Sequence, residues 1–224
     1  MTREPDADRP EVSAELRDVV RLGWVRASPV TIGPASAELV AEIEFLRASL
    51  RQRWSGHAPA SIPGLQPARR LYRDLGIDPT RTRPSSEALL RRVLRDLALP
   101  RILNAVDVGN LLSLRFLLPI GLYDNGKIEG RVRLRRGEPG ECFAGIRKDT
   151  VHLEGRPALV DRAGPFGNPT SDSARTCVDG ATRSLWMVVF APRDYAAEAM
   201  MSHVEDSRKT IEGFLGAETA GGAQ

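Results

Sequence analysis

The chain changes texture at Pro119. Upstream, apolar residues recur mostly at helical spacing. Downstream, short apolar alternations separated by glycine, proline and asparagine turns take over, until a last helical stretch closes the sequence. An order of helices, then strands, then a helix excludes the alternating plan, in which a crossover helix follows each parallel strand. The fold class it predicts is α+β.

The pattern can be read element by element. Val12 to Leu22 has helical spacing and stops at Gly23, a usual C-terminal signal. Trp24 to Ile32 reads as a strand, and Pro29 inside it predicts a sheet edge. Gly33-Pro34 opens a helix whose stripe is Leu39, Ile43, Leu46, Leu50 and Trp54. Ser55 to Pro67 is a loop or linker and the one candidate internal boundary. Ala68 to Leu75 forms a short helix. Arg83-Pro-Ser-Ser-Glu87 starts another, with a serine cap and Glu87 at the positive end of the dipole. Ile102 to Leu118 is helical, although Gly109 weakens the pattern. Ile128 to Arg135 alternates strictly, with Ile128, Val132 and Leu134 on one face and Glu129, Arg131, Arg133 and Arg135 on the other. Strands are expected at 151–153, 158–161 and 184–190, and a helix from Asp194 to Leu215. The resulting division is a disordered tail at 1–10, one domain over 11–215 and a short tail at 216–224.

Composition narrows the classes. At 42% hydrophobic residues the 224-residue chain can bury a sizeable core, filled mainly by aliphatics because aromatics make up only 5%. No apolar run approaches the ~20 residues of a membrane span. The charged, proline-containing start MTREPDADRPE lacks the apolar stretch of a signal peptide. The default expectation is a soluble cytoplasmic protein with no membrane partner. Cys142 and Cys177 have no Cys or His at ligand spacing and read as a structural pair of thiols or as two buried small hydrophobes. His57, His152 and His203 lack local partners. Phosphate-loop, dinucleotide, zinc-protease and nucleophile-elbow motifs are absent from the sequence, so neither a metal nor a cofactor is expected.

Charge is unevenly placed. Between Arg69 and Arg101 lie nine arginines and four acids, a local excess of five against +3 for the whole chain. Such a field attracts polyanions, although an Arg-rich run is also the ordinary face of a solvated helix.

Three polar segments interrupt apolar runs. Asn104, Asp107 and Asn110 recur at helical spacing and need partners, from backbone or from a ligand. For Asp107 alone, structural capping is the simpler account. Gly121-Leu-Tyr-Asp124-Asn-Gly126 is a turn signal. Gly164-Pro-Phe-Gly167-Asn168-Pro-Thr-Ser171-Asp172-Ser173 offers backbone N–H groups and hydroxyls beside a carboxylate, and suits either an anion site or a surface turn.

Taken in order, these segments resemble a known family. The run Arg83-Pro-Ser-Ser-Glu-Ala-Leu-Leu-Arg-Arg92, then Leu99-Pro-Arg-Ile-Leu-Asn104-Ala-Val-Asp107-Val-Gly-Asn110, then Leu118-Pro-Ile-Gly-Leu-Tyr-Asp124 is similar to the B3/B4 domain of the phenylalanyl-tRNA synthetase beta subunit. The arginine strand Gly130 to Arg135, the Gly140-Glu141 turn and the Gly164 to Ser173 loop follow in the family's order, and the resemblance covers about residues 66 to 195. It leaves 11–60 as an N-terminal extension. Two positions depart from the family pattern: Gly121 stands where a His is usual, and Pro169 where a Glu is common.

The resemblance implies a β-sandwich of unusual topology flanked by helices, and hydrolysis of an amino acid wrongly esterified to tRNA, by a free-standing domain acting in trans. Such an ester is labile, so a positioned water and a stabilised oxyanion suffice. On this reading Asp172 and Asp107 orient water. Gly167 and Asn168 hold the oxyanion, while Asn104, Asn110, Ser171 and Asp124 contact the amino acid. Arg83, Arg91, Arg92, Arg131, Arg133 and Arg135 hold the tRNA. The rival expectations are a non-catalytic tRNA- or amino-acid-binding module and an enzyme acting on another small ester or amide.

Overall fold

The computed structural model describes residues 9–146 and 150–224. In chain order its elements are β1 (Glu11–Val12), α1 (Ala14–Arg17), β2 (Val20–Ser28), α2 (Ala37–Trp54), α3 (Gln66–Asp74), α4 (Ser85–Leu94), α5 (Asn104–Phe116), β3 (Ile120–Asp124), β4 (Arg133–Arg136), β5 (Cys142–Ala144), β6 (Thr150–His152), β7 (Pro157–Asp161), β8 (Gly164–Asn168), β9 (Ser171–Asp172), β10 (Leu185–Pro192), α6 (Ala197–Leu215) and β11 (Glu218–Ala223).

The organising element is β10. Every one of its eight residues is buried, as expected of a continuous apolar run covered on both faces. Leu185, Met187, Val189 and Ala191 join the core beneath the helices, packed with Leu39, Ile43, Leu111, Val204 and Ile211. Trp186, Val188 and Phe190 join a second core with Tyr123, Leu134, Leu159 and Phe166. Period-two alternation thus gives β10 a helix side and a sheet side. The strand order β11-β2-β10-β3 makes one four-stranded sheet. The order β1-β4-β7-β8-β9 makes a five-stranded sheet facing it across the second core. A two-stranded ribbon, β5-β6, completes the sandwich. The α+β sandwich flanked by helices is the architecture found.

Several local expectations change. Val12 to Leu22 is helical only over Ala14–Arg17, and β2 begins at Val20. Gly23 is not a helix stop. A Cβ there would come within 2.6 Å of Met200 Sδ, so glycine lets α6 lie directly on β2. β2 ends at Ser28, before Pro29, and is an interior strand, because the supposed tail pairs with it as β11, Glu218 opposite Ser28 through Ala223 opposite Gly23. Gly216, at φ 64°, turns the chain out of α6 and back along the sheet. The expected tail at 1–10 lies, for residues 1–8, outside the described residues. The helix stripe of α2 is as read: Leu39 and Ile43 are buried, and Leu46, Leu50 and Trp54 pack partly against the same core. Ser36 caps that helix, accepting from Leu39 N at 3.2 Å.

Candidate functional site

The two sheets leave an opening at one side of the sandwich. β3 ends the four-stranded sheet and β9 ends the five-stranded one, and the two edges lie against each other. Over them passes α5. Between these elements is a cavity of about 390 Å³. Its wall is largely aliphatic: Ile102 and Val106 on the helix side, Ile120 and Leu122 from β3. Polar groups enter it at few points. Asn110 reaches it from α5 and Asp172 from β9, the one carboxylate in the described lining. Gly109 borders it as well. A Cβ on Gly109 would meet only Leu122 Cδ2, at 3.8 Å, so the missing side chain is open space. The glycine that weakens the helical pattern is the one that widens the cavity.

Behind Asp172 stand two buried tyrosines. Tyr72, on α3, donates from Oη to Pro169 O at 2.6 Å. Burial raises its pKa, and the Asp172 charge raises it further. Tyr123, on β3, is raised well above the phenol range by burial and then by the nearby Asp172 charge. Its ring packs edge-on to Phe166, centroids 5.1 Å apart, and lies 5.9 Å from Trp186. Sequence reasoning took Tyr123 as part of a turn and did not consider Tyr72. The only available signal was two tyrosines in otherwise aliphatic stretches of an aromatic-poor chain.

The glycine-rich loop shapes this wall more than it enters it. Asn168 Oδ1 accepts from Thr170 N (2.8 Å), Thr170 Oγ1 (2.8 Å) and Ser171 N (2.9 Å), closing the turn from β8 to β9. Gly167 is paired with Leu159 on one side and Asp172 on the other. Neither Gly167 nor Asn168 lines the cavity, so the expected oxyanion contact at these two residues is not where the cavity lies. Ser171 sits beside Asp172 on β9.

The other expected ligand contacts are engaged within the fold. Asn104 Oδ1 accepts from Gly33 N (3.1 Å) and Ala105 N (2.9 Å), and its Nδ2 donates to Thr31 O (2.8 Å). It ties the loop before α2 to the start of α5. Asp124 accepts from Gly126 N at 2.9 Å and from Thr182 Oγ1 at 2.7 Å, fixing the turn after β3. Asp107 is buried in the first turn of α5 and lies outside the cavity lining. Burial raises its pKa, against the nearby Arg101 and a backbone hydrogen bond from Ile102. α5 begins without a side-chain cap, and Asp107 Oδ1 is buried with no hydrogen-bond partner among the described residues, so the simple capping account does not describe it.

The arginines are redistributed in the same way. Glu87 is fully buried and gathers Arg69 at 2.7 Å, Arg91 at 3.0 Å and Arg83 at 3.6 Å. Arg92 donates to Ala98 O from Nε and Nη2. Arg135 forms a two-pronged pair with Glu141 at 2.7 Å, whose hydrogen bonds hold the Glu141 carboxyl below its ordinary range. Arg133 stands 3.3 Å from Glu11. Of the six arginines expected to face RNA, Arg131 alone lacks an acidic or backbone partner among the described residues. Glu87 is within the count made along the sequence, and folding adds acids from elsewhere, Asp194 to Arg70 at 2.5 Å and Glu44 to Arg101 at 3.1 Å. Among the described residues no group of His, Cys, Asp or Glu is placed to hold a metal ion, and no helix is long and apolar enough to cross a membrane.

A helix-covered sandwich with a largely aliphatic cavity at its joined sheet edges defines the class as an α+β domain. The chain belongs to the B3/4 domain family, which it matches over residues 67–207. Among solved structures it is similar to an N-terminal fragment of the phenylalanyl-tRNA synthetase beta-subunit from Pyrococcus horikoshii, with a TM-score of 0.46 and 14% sequence identity over 93% of this chain and 49% of that one. The chain therefore spans about half the length of that fragment. No curated protein matches it.

Proposed function

We propose that this protein hydrolyses aminoacyl esters of tRNA in trans, with the amino-acid end of the substrate in the 390 Å³ cavity. The observation that carries the reading is Asp172, the one carboxylate in the described lining of a largely aliphatic cavity. A volume of this size lies within the ~300–1,000 Å³ usual for small-molecule sites. Membership of the B3/4 family and the ordered motifs shared with the synthetase editing domain support the tRNA part.

Asp172 accepts a proton from water as the water oxygen adds to the ester carbonyl. The carbonyl–ribose C–O bond then breaks, and the ribose oxygen leaves with a proton. Asn110 is the amide on the wall, beside the hydroxyls of Ser85 and Ser113; with both donor and acceptor groups it is suited to the substrate's ammonium or carbonyl. The aliphatic wall selects an apolar side chain and excludes bulk water, which strengthens the electrostatic contacts inside.

A second reading, a module that binds an amino acid without turning it over, is favoured by one observation. Tyr123 fills the space beside Gly121, the position where the family usually carries a His. A deacylation assay against a panel of correctly and incorrectly charged tRNAs separates the two. Hydrolysis of at least one charged tRNA, reduced at least about ten-fold by Asp172→Ala, supports the enzyme. Release of label from no member sinks it. Saturable binding of a free amino acid without turnover then selects the second reading.

A further inference from the structure

Away from the cavity, near the β1 edge of the sandwich, lies a larger and more open cleft of about 730 Å³. Five arginines line it, each from a different segment: Arg9 before β1, Arg17 at the end of α1, Arg21 on β2, Arg131 ahead of β4 and Arg193 after β10. Glu11 is the one acid in the lining, and it stands 3.3 Å from Arg133. None of the five arginines forms an ion pair among the described residues. This contrasts with the arginines of α4 and β4, where Glu87 and Glu141 draw the charge inward.

The cleft is built rather than incidental. Arg21 Nη2 donates to Arg193 O at 3.3 Å, joining two of its sides. Arg9 Nε donates to Gln224 Oε1 at 2.6 Å. Gln224 is in turn fixed to β2, with Leu22 N to Gln224 O at 3.0 Å and Gln224 N to Leu22 O at 2.9 Å. Arg21 and Arg193 are thus joined to each other, Arg9 is tied to a residue paired with β2, and all five arginines line one space. A single small anion needs a tight nest of donors. An open cleft whose cations come from five separate segments suits a chain of phosphates instead.

We propose that this cleft holds the phosphodiester backbone of RNA. The inference deepens the tRNA part of the proposed function by giving the nucleic acid a binding surface separate from the arginine set that the sequence singled out. On the five-stranded sheet β1 and β9 occupy opposite edges. Strands lie ~4.8 Å apart, so the cleft and the cavity are separated by about 20 Å across that sheet. An RNA whose 3′ end enters the cavity must cross the sandwich to reach the cleft.

The test is equilibrium binding of uncharged tRNA to the full chain across a series of salt concentrations, which requires no turnover. The triple variant Arg17→Ala/Arg131→Ala/Arg193→Ala is expected to bind at least about ten-fold more weakly, and its salt dependence to flatten by about two to three in log–log slope. The matching Arg→Lys triple keeps the charge and is expected to stay within about three-fold of wild type. It also controls for any loss of folding in the alanine variant. Unchanged affinity and slope in the alanine triple would overturn the proposal. So would a wild-type protein that binds no tRNA, or a DNA duplex of equal charge competing equally, which reduces the cleft to a general polyanion site. Because binding is read on uncharged tRNA, the cleft can fail while deacylation stands, and deacylation can fail while the cleft stands.

Discussion

The phenol of Tyr123 occupies the space that a side chain at Gly121 would need. A Cβ on Gly121 would fall 2.8 Å from Tyr123 Cζ, and one on Gly167, across on β8, 2.7 Å from the same atom. The ring is therefore clasped between two glycines, with Phe166 and Trp186 packed around it. Gly121 and Tyr123 are thus coupled: β3 carries no side chain at 121, and the phenol two residues on occupies that place. Gly121→Ala is expected to destabilise the protein by about 1–3 kcal/mol, the usual cost of overpacking a closed core. Combining it with Tyr123→Val should cost clearly less than the sum of the two single changes, since the smaller residue vacates the contested space. Chemical denaturation of the four proteins of that cycle measures the coupling, and strict additivity would show that the two positions do not compete.

All three tyrosines of the chain have raised pKa values, Tyr72 and Tyr123 through burial and the Asp172 charge, Tyr195 through burial. In the unfolded chain they titrate near ~10. Above that pH the folded state keeps phenol protons that the unfolded state releases, so stability is intact below ~10 and falls as pH rises further. Spectrophotometric titration should detect little tyrosinate in the native protein at pH ~10 and about half-ionisation in denaturant. Native tyrosines titrating at the ordinary value would contradict the closed arrangement around Asp172.

The parts of this fold legible in the sequence are those fixed by local periodicity. The α2 stripe from Leu39 to Trp54 and the strand at 184–190 needed nothing beyond spacing. Gly23 and the Glu218–Ala223 strand were misread because their reasons are distant. Gly23 is small because Met200 and Val204 cross above it. A Cβ on Gly221 would run into the Trp24 carbonyl, so a glycine-rich stretch with no strand pattern pairs closely with β2. The site divides the same way. Asp172 and Asn110 were named from polar residues breaking apolar runs, and both reach the cavity. Asn104, Asp124 and Asn168 gave the same local signal but serve backbone turns. A buried polar residue announces that it needs partners, and only the fold decides whether those partners are protein or ligand.

Glu87 gives the sharpest example of that rule for charge. Fully buried, it holds Arg69, Arg91 and Arg83, so the Arg-rich helix is a structural knot. Glu87→Gln leaves half-buried guanidinium groups without their counter-charge and is expected to cost about 3–5 kcal/mol. Arg83→Ala removes the longest and most exposed of the three contacts and should cost less than about 1 kcal/mol. It should also leave tRNA affinity unchanged. Thermal denaturation of both variants, with a binding titration of the second, tests this division of labour. A large loss of tRNA affinity in Arg83→Ala would return α4 to the nucleic-acid surface.

Gly109 sets stability against function. It lies inside α5, where glycine costs about 0.5–1 kcal/mol relative to alanine. No backbone strain or close approach requires it, since a Cβ there meets only Leu122 at 3.8 Å. The residue is unfavourable for the helix and favourable for the cavity, because it keeps the wall open opposite Ile120 and Leu122. Gly109→Ala should therefore raise stability by roughly the helix-propensity difference while weakening binding of the amino-acid end, seen as a higher KM with little change in kcat. Gly109→Leu should fill the space, abolish turnover of charged tRNA and leave the protein folded. A stability loss on Gly109→Ala would mean that the space beside α5 is closed. A stabilised variant with unaltered KM would place the amino acid somewhere other than this cavity.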